Sequence, residues 1–274
     1  MNIRHFEISA LGHTADLKLL QYPNVTNTNK KYPVIILCPG GGYTGLSPRE
    51  ADVIGLQFMA KGYHAAVLTY TCAPAARFPV ALYQLAGAVA TLRENADELR
   101  IDENTIIVSG FSAGGHLAAS LGVFWNHAEV MKDCPWSAEE RKPNLEILGY
   151  PVITSGDLAH KGSFKALLGD RFDEEEAMEL VSLEKQVTAD TPATFLWHTW
   201  HDVTVPPENS MLYASALRAN NVPLELHIYE EGPHGIATGN YLTNDVMYPA
   251  AEPWVELAHL FVKDHSEESL WNYK

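Results

Sequence analysis

The apolar pattern of the chain predicts an α/β protein, with a mostly parallel central sheet flanked by helices on both faces. Three observations carry this. Short continuous apolar runs such as Val34-Ile35-Ile36-Leu37-Cys38 read as strands buried on both faces. Stretches of helical length separate these runs, and that spacing is what a crossover between parallel strands requires. Finally, 274 residues, 46% of them hydrophobic, suffice for one large core, so residues 1–274 read as a single domain.

The elements follow in order. Ile3 to Ala10 and Ala15 to Leu20 alternate apolar and polar residues around Gly12-His13, as in an antiparallel hairpin at a sheet edge. The run ending at Cys38 leads into Pro39-Gly40-Gly41-Gly42-Tyr43. Ser47 then reads as the cap of a helix through Lys61, with Pro48 at its first position and Gly62 as its stop. His64 to Tyr70 is the next strand, Cys72 to Pro79 a loop and Ala81 to Asn95 an Ala/Leu-rich helix.

Thr105 to Ser109 then runs into Gly110-Phe111-Ser112-Ala113-Gly114, with a helix of small and apolar residues behind it. Trp125 to Asn144 interrupts the alternation, and Leu145 to Ile153 resumes it as a strand. Residues 154–190 are charge-rich and fit poorly in a sheet, so they read as an insertion above the strand ends, a lid or substrate wall. The acidic run Asp173 to Glu176 suits a helix's first turn. Ala193 to His198 is a buried strand, Asn209 to Asn220 an amphipathic helix, Leu224 to Tyr229 a last strand and Trp254 to His265 a closing helix.

Composition narrows the partners. A net charge of −15 opposes nucleic acid and anionic membranes, and suits a small neutral or cationic molecule. The first residues lack an apolar segment of signal-peptide length, and no run spans a bilayer, so a soluble, cytoplasmic protein is expected. Cys38, Cys72 and Cys134 are widely spaced and odd in number, which disfavours disulfides and zinc. Homo-oligomerisation stays open.

The chemistry is concentrated at the strand ends. Gly-x-Ser-x-Gly between a strand and a helix is a sharp turn that lifts the Ser112 hydroxyl clear of the sheet. Gly110 and Gly114 leave room where strand and helix nearly touch, and the Ala113 N–H points above the turn. The glycine run after Cys38 lacks the Gly-Lys-Ser/Thr of a phosphate loop, so Gly41 and Gly42 read as further oxyanion donors.

Of twelve histidines, His234 in Gly-Pro-His-Gly is best placed as base, after a late strand at the same edge. His116 is held on the serine's own helix, which disfavours it. Asp202 precedes His234 at the end of an intervening strand, with Asp157 and Asp190 as weaker choices. His198-x-x-His201-Asp202 could collect a metal, but at a strand end that spacing points the histidines to opposite faces; no metal is expected. Tyr43 and Trp200 are candidates to stack on a substrate ring.

Taken together, Pro39-Gly40-Gly41-Gly42-Tyr43, Gly110 to His116, Asp202-x-x-Val205-Pro206 and Pro233-His234-Gly235 resemble the α/β-hydrolase superfamily. The likeness covers nearly the whole chain and is greatest to the bacterial esterase/lipase branch that includes acetyl-xylan esterase-like proteins. One departure is Pro39, where hormone-sensitive-lipase-like relatives carry the histidine of His-Gly-Gly-Gly. The resemblance implies a cofactor-free serine hydrolase acting on a small-molecule ester. Ser112 would be nucleophile, His234 base, Asp202 its acid, and Gly41, Gly42 and Ala113 the oxyanion donors. It also implies a small acyl group, such as acetate, carried on a sugar or xylo-oligosaccharide. A peptidase acting on short peptides and a non-catalytic binding protein are the competing readings.

Overall fold

The computed structural model describes residues 1–23, 30–267 and 270–271. Strands β1 (Asn2–Ala10) and β2 (His13–Gln21) form the N-terminal hairpin. Its two turn residues are Leu11 and Gly12, both at positive φ, which suits the twist of a tight hairpin. The turn thus falls one residue earlier than Gly12-His13, and His13 already pairs with Ala10.

There follow β3 (Tyr32–Cys38), α1 (Asp52–Met59), β4 (His64–Thr69), α2 (Val80–Glu94), α3 (Ala96–Leu99), β5 (Ile101–Phe111) and α4 (Ala113–Phe124). The second half adds α5 (Ala138–Arg141), β6 (Leu145–Gly149), α6 (Lys161–Leu168), α7 (Glu175–Leu180), β7 (Ala193–Thr199), α8 (Glu208–Ala219), β8 (Leu224–Tyr229) and α9 (Trp254–Asp264). The sheet order is β1-β2-β4-β3-β5-β6-β7-β8, and among the described residues β2 is the one strand that runs opposite to the rest.

Period-two alternation divides the strand side chains between two cores. Val34 and Ile36 of β3 and Ile106 and Val108 of β5 join the apolar faces of α2, α4 and α8 on one side. Ile35, Leu37, Ile107 and Phe111 meet α1 and α9 on the other. The insertion adds Phe164, Leu167, Ala177 and Val181 to the first core, so its charged appearance conceals a packed inner face. Among the described residues no helix is long and apolar enough to cross a membrane.

Two predicted elements differ. The helix expected from Ser47 to Lys61 is broken: Pro48–Glu50 is a single 3₁₀ turn, Ala51 interrupts it, and α1 starts at Asp52. Ser47 makes no capping hydrogen bond; the break instead turns the Glu50 side chain inward. The strand expected over Leu145 to Ile153 ends at Gly149 because Tyr150, at φ 35°, leads the chain out of the sheet. Val152 and Ile153 are apolar because they enter the core beside the insertion.

Candidate active site

The carboxyl ends of β3, β5, β7 and β8 meet around Ser112. Ser112 follows β5 at φ 55° and ψ −123°, a conformation that a side-chain-bearing residue holds only under close constraint. The constraint is steric: a methyl group on Gly110 would lie 2.0 Å from the Gly114 carbonyl oxygen, and one on Gly114 2.0 Å from that of Cys38. Backbone bonds complete it, from Ser112 N–H to Gly149 O and from Val152 N–H to Ser112 O.

His234 Nε2 lies 2.7 Å from Ser112 Oγ, and its Nδ1 lies 2.6 Å from Asp202 Oδ2. Asp202 Oδ1 accepts the N–H groups of Thr204 and Val205, each at 2.9 Å. Asp202 Oδ2 also accepts from His198 Nε2 at 3.2 Å. Because Asp202 accepts at Nδ1, the neutral imidazole of His234 carries its proton there and presents the Nε2 lone pair to the serine hydroxyl. Burial alone would raise the Asp202 carboxyl, but the bonds from His198, His234 and Val205 outweigh it and hold the group well below the usual range. Asp157 and Asp190, the weaker choices, are exposed elsewhere, Asp190 against Asn126.

Gly41 and Gly42 line a cleft of about 240 Å³ together with Ser112 and His234. Both have left-handed φ, 137° and 64°, and a methyl on Gly41 would meet the Gly45 carbonyl oxygen at 2.2 Å. The turn is closed by Thr44 and Gly45 N–H groups on Gly41 O, while no bond from the Gly41 or Gly42 N–H is found among the described residues. Ala113 is the first residue of α4, where N–H groups have no intrahelical acceptor.

Neither Tyr43 nor Trp200 lines this cleft. Tyr43, at φ 59°, turns inward to 4% exposure, and its hydroxyl lies 2.8 Å from His116 Nδ1. Trp200 is exposed on a separate groove with His201, Ile228 and Glu230. His116 is buried, with Nε2 donating to Val181 O, and burial depresses it to about 4. His198 and His201 part as the spacing suggested: His198 is buried on Asp202, Val205 O and Ser210, whereas His201 is exposed near Glu230 and Glu231.

Three residues of the site carry no signal in the sequence. Buried Glu50 accepts from Gly40 N–H and from the Tyr150 hydroxyl, each at 2.8 Å, and so braces the glycine turn. Tyr150 in turn accepts from Ala237 N–H and lays its ring edge-on to His234, 5.1 Å between centroids. Glu50 looks like an ordinary first-turn acid, and Tyr150 like one more apolar strand residue. His160, at the start of α6, lines the cleft; its Nδ1 accepts from Ser163 N–H, which leaves Nε2–H as a donor.

Comparison with known proteins gives a consistent picture. The BD-FAE family matches residues 20–217. Endo-1,4-beta-xylanase B of Butyrivibrio fibrisolvens is 36% identical over 78% of this chain. The chain spans about a third to a half of the length of the curated relatives it matches. The acetyl ester-xyloside bifunctional hydrolase of Caldicellulosiruptor lactoaceticus superposes with a TM-score of 0.80 at 35% identity, covering 92% of this chain and 88% of that one. The carboxylesterase Cest-2923 of Lactobacillus plantarum WCFS1 gives 0.86 at 27% identity, with both chains covered in full.

Proposed function

The chain belongs to the BD-FAE family, an α/β-hydrolase family, and from that premise we propose that it is a serine esterase working through an acyl-enzyme. The observation that carries the reading is the continuous relay Ser112 Oγ, His234, Asp202, with heavy-atom distances of 2.7 and 2.6 Å. Ser112 attacks the ester carbonyl as His234 Nε2 takes its proton, and the imidazolium so formed is stabilised by Asp202. The N–H groups of Gly41, Gly42 and Ala113 receive the developing oxyanion. His234 then returns the proton to the departing alkoxide, and water, activated by the same imidazole, releases the acid. No step in this sequence calls for a cofactor.

The substrate we favour is a small acyl group, acetyl above all, on a sugar or xylo-oligosaccharide. A cleft of about 240 Å³ suits a short acyl chain, and the relatives named for xylan and acetyl esters support the sugar half. Residues 154–190 serve as a substrate wall, to which His160 contributes a donor. The peptidase and binding-protein readings gain nothing from these relatives.

The test is a panel of p-nitrophenyl acetate, butyrate and octanoate with acetylated xylo-oligosaccharides. Acetyl esters should turn over fastest, and Ser112→Ala should lower kcat by about 10⁴-fold or more. Wild-type turnover in Ser112→Ala would refute the reading.

A further inference from the structure

A second cavity, of about 480 Å³, opens beside the glycine turn and abuts the catalytic cleft at two points. Thr44 lines it just beyond Gly42, which lines the cleft. Gly162 lines it as well, and a methyl group there would lie 3.5 Å from Cε1 of His160, which lines the cleft. The floor is apolar, made by Ala73, Pro74 and Ala166, and the two charged residues on its walls are Arg77 and Lys165.

Both cations lack a carboxylate partner among the described residues, although the chain holds 34 acidic against 19 basic residues. Elsewhere Arg4, Lys18, Lys31, Lys61, Arg171 and Lys185 each meet one, whereas others such as Lys132 and Arg218 meet none among the described residues, so what marks Arg77 and Lys165 is that both line one groove. Asp170 stands next to Gly169 in the chain, yet no ion pair joins it to Arg77. Gly169, at φ 61°, makes room for the Arg77 stem, since a methyl there would lie 2.4 Å from Arg77 Nε. The two walls are tied by Phe78 N–H on Leu167 O at 2.9 Å, so the charges sit on a joined frame.

We infer that this groove receives the carboxylate-bearing half of the substrate: the preferred esters carry an acidic group, as an acidic sugar does, paired with Arg77 and Lys165 over an apolar floor. The inference deepens the esterase reading and rests on it. It also runs, locally, against the partner preference that a net charge of −15 implies, because Arg77 and Lys165 are the charged residues that line this groove.

The test compares matched esters in wild type and in Arg77→Gln/Lys165→Gln, whose side chains are both exposed so that folding is spared. One pair, 4-acetoxybenzoate and its methyl ester, carries the charge on the alcohol half. The other, mono-4-nitrophenyl adipate and its methyl ester, carries it on the acyl half. In the 4-acetoxybenzoate pair the anionic member should lose about tenfold in kcat/KM in the variant, while the adipate pair and the neutral esters stay within about twofold, because an acetyl group carries no charge. Added salt should erode the anionic preference in wild type and leave the variant unchanged. An unchanged ratio in the 4-acetoxybenzoate pair overturns the inference, as does an equal loss in both pairs, which would mark a charge effect that is not confined to the alcohol half. To separate this from failure of the esterase reading, binding of trigalacturonate and its methyl ester to Ser112→Ala is measured by calorimetry. Tighter binding of the acid, abolished by adding the two Gln substitutions, supports the groove without any turnover; equal binding of the two sugars counts against it.

Discussion

At Asp202 two carboxylate oxygens accept from Thr204, Val205, His198 and His234, so the anion has a donor on every side. Its carboxyl is held below the unfolded value of about 3.9. The stabilisation this confers is therefore complete above that value and is lost only as pH falls through the lower folded one. Across neutral pH the residue stays charged, and replacing it changes the hydrogen bonds rather than a titration. Asp202→Asn should cost about 10⁴ in kcat on p-nitrophenyl acetate, because the amide no longer enforces the Nδ1–H tautomer of His234. A loss under tenfold would assign the role to another carboxylate. Asp202 and His234 were legible in the sequence because they sit at strand ends, where wiring alone brings residues together. Tyr43 misled for the opposite reason: Gly41 and Gly42 just before it line the cleft, but a left-handed φ carries its ring into the core.

The strand, turn and helix around Ser112 were readable because their steric demand is met within five residues, Gly110 to Gly114. That demand can be measured. Alanine for glycine inside a helix ordinarily stabilises by about 1 kcal/mol. At Gly114 the new methyl would lie 2.0 Å from a backbone oxygen of β3, which cannot yield without moving the strand. Gly114→Ala should therefore destabilise by more than about 4 kcal/mol, seen as a collapsed melting temperature or absent soluble protein. A melting temperature near that of wild type would show that β3 and α4 can part. By contrast, the Glu50 and Tyr150 pair joins positions 100 residues apart, and nothing in either local pattern announces the other. The same distance problem hid the break after Glu50, since an inward-turned carboxylate and a helix's first turn share one sequence signature.

Glu146 couples several parts of the molecule. Wholly buried at the start of β6, it accepts through Oε2 from Thr194 on β7 and Tyr213 on α8, while Oε1 has no partner among the described residues and faces Gly122 of α4. Burial outweighs the two hydrogen bonds and pushes its carboxyl up to about 8. The folded chain then holds a proton that the unfolded chain releases near the ordinary carboxylate value, so stability declines as pH rises toward about 8 and levels beyond it. Glu146→Gln should flatten that decline when urea midpoints are compared between pH 5 and 8; parallel slopes for the two proteins would refute it. The sheet order has a separate consequence for the proposed catalytic relay. Ser112 leaves β5, which lies deep within the sheet, while His234 follows β8, a half-buried strand at its margin. Fraying from that margin would remove the imidazole while the hydroxyl is still in place. Gentle heating should thus abolish the proposed esterase activity before far-ultraviolet circular dichroism falls, and cooling should restore it, as befits an activity whose weakest anchor is peripheral; simultaneous loss of both signals would show the margin to be as firm as the centre.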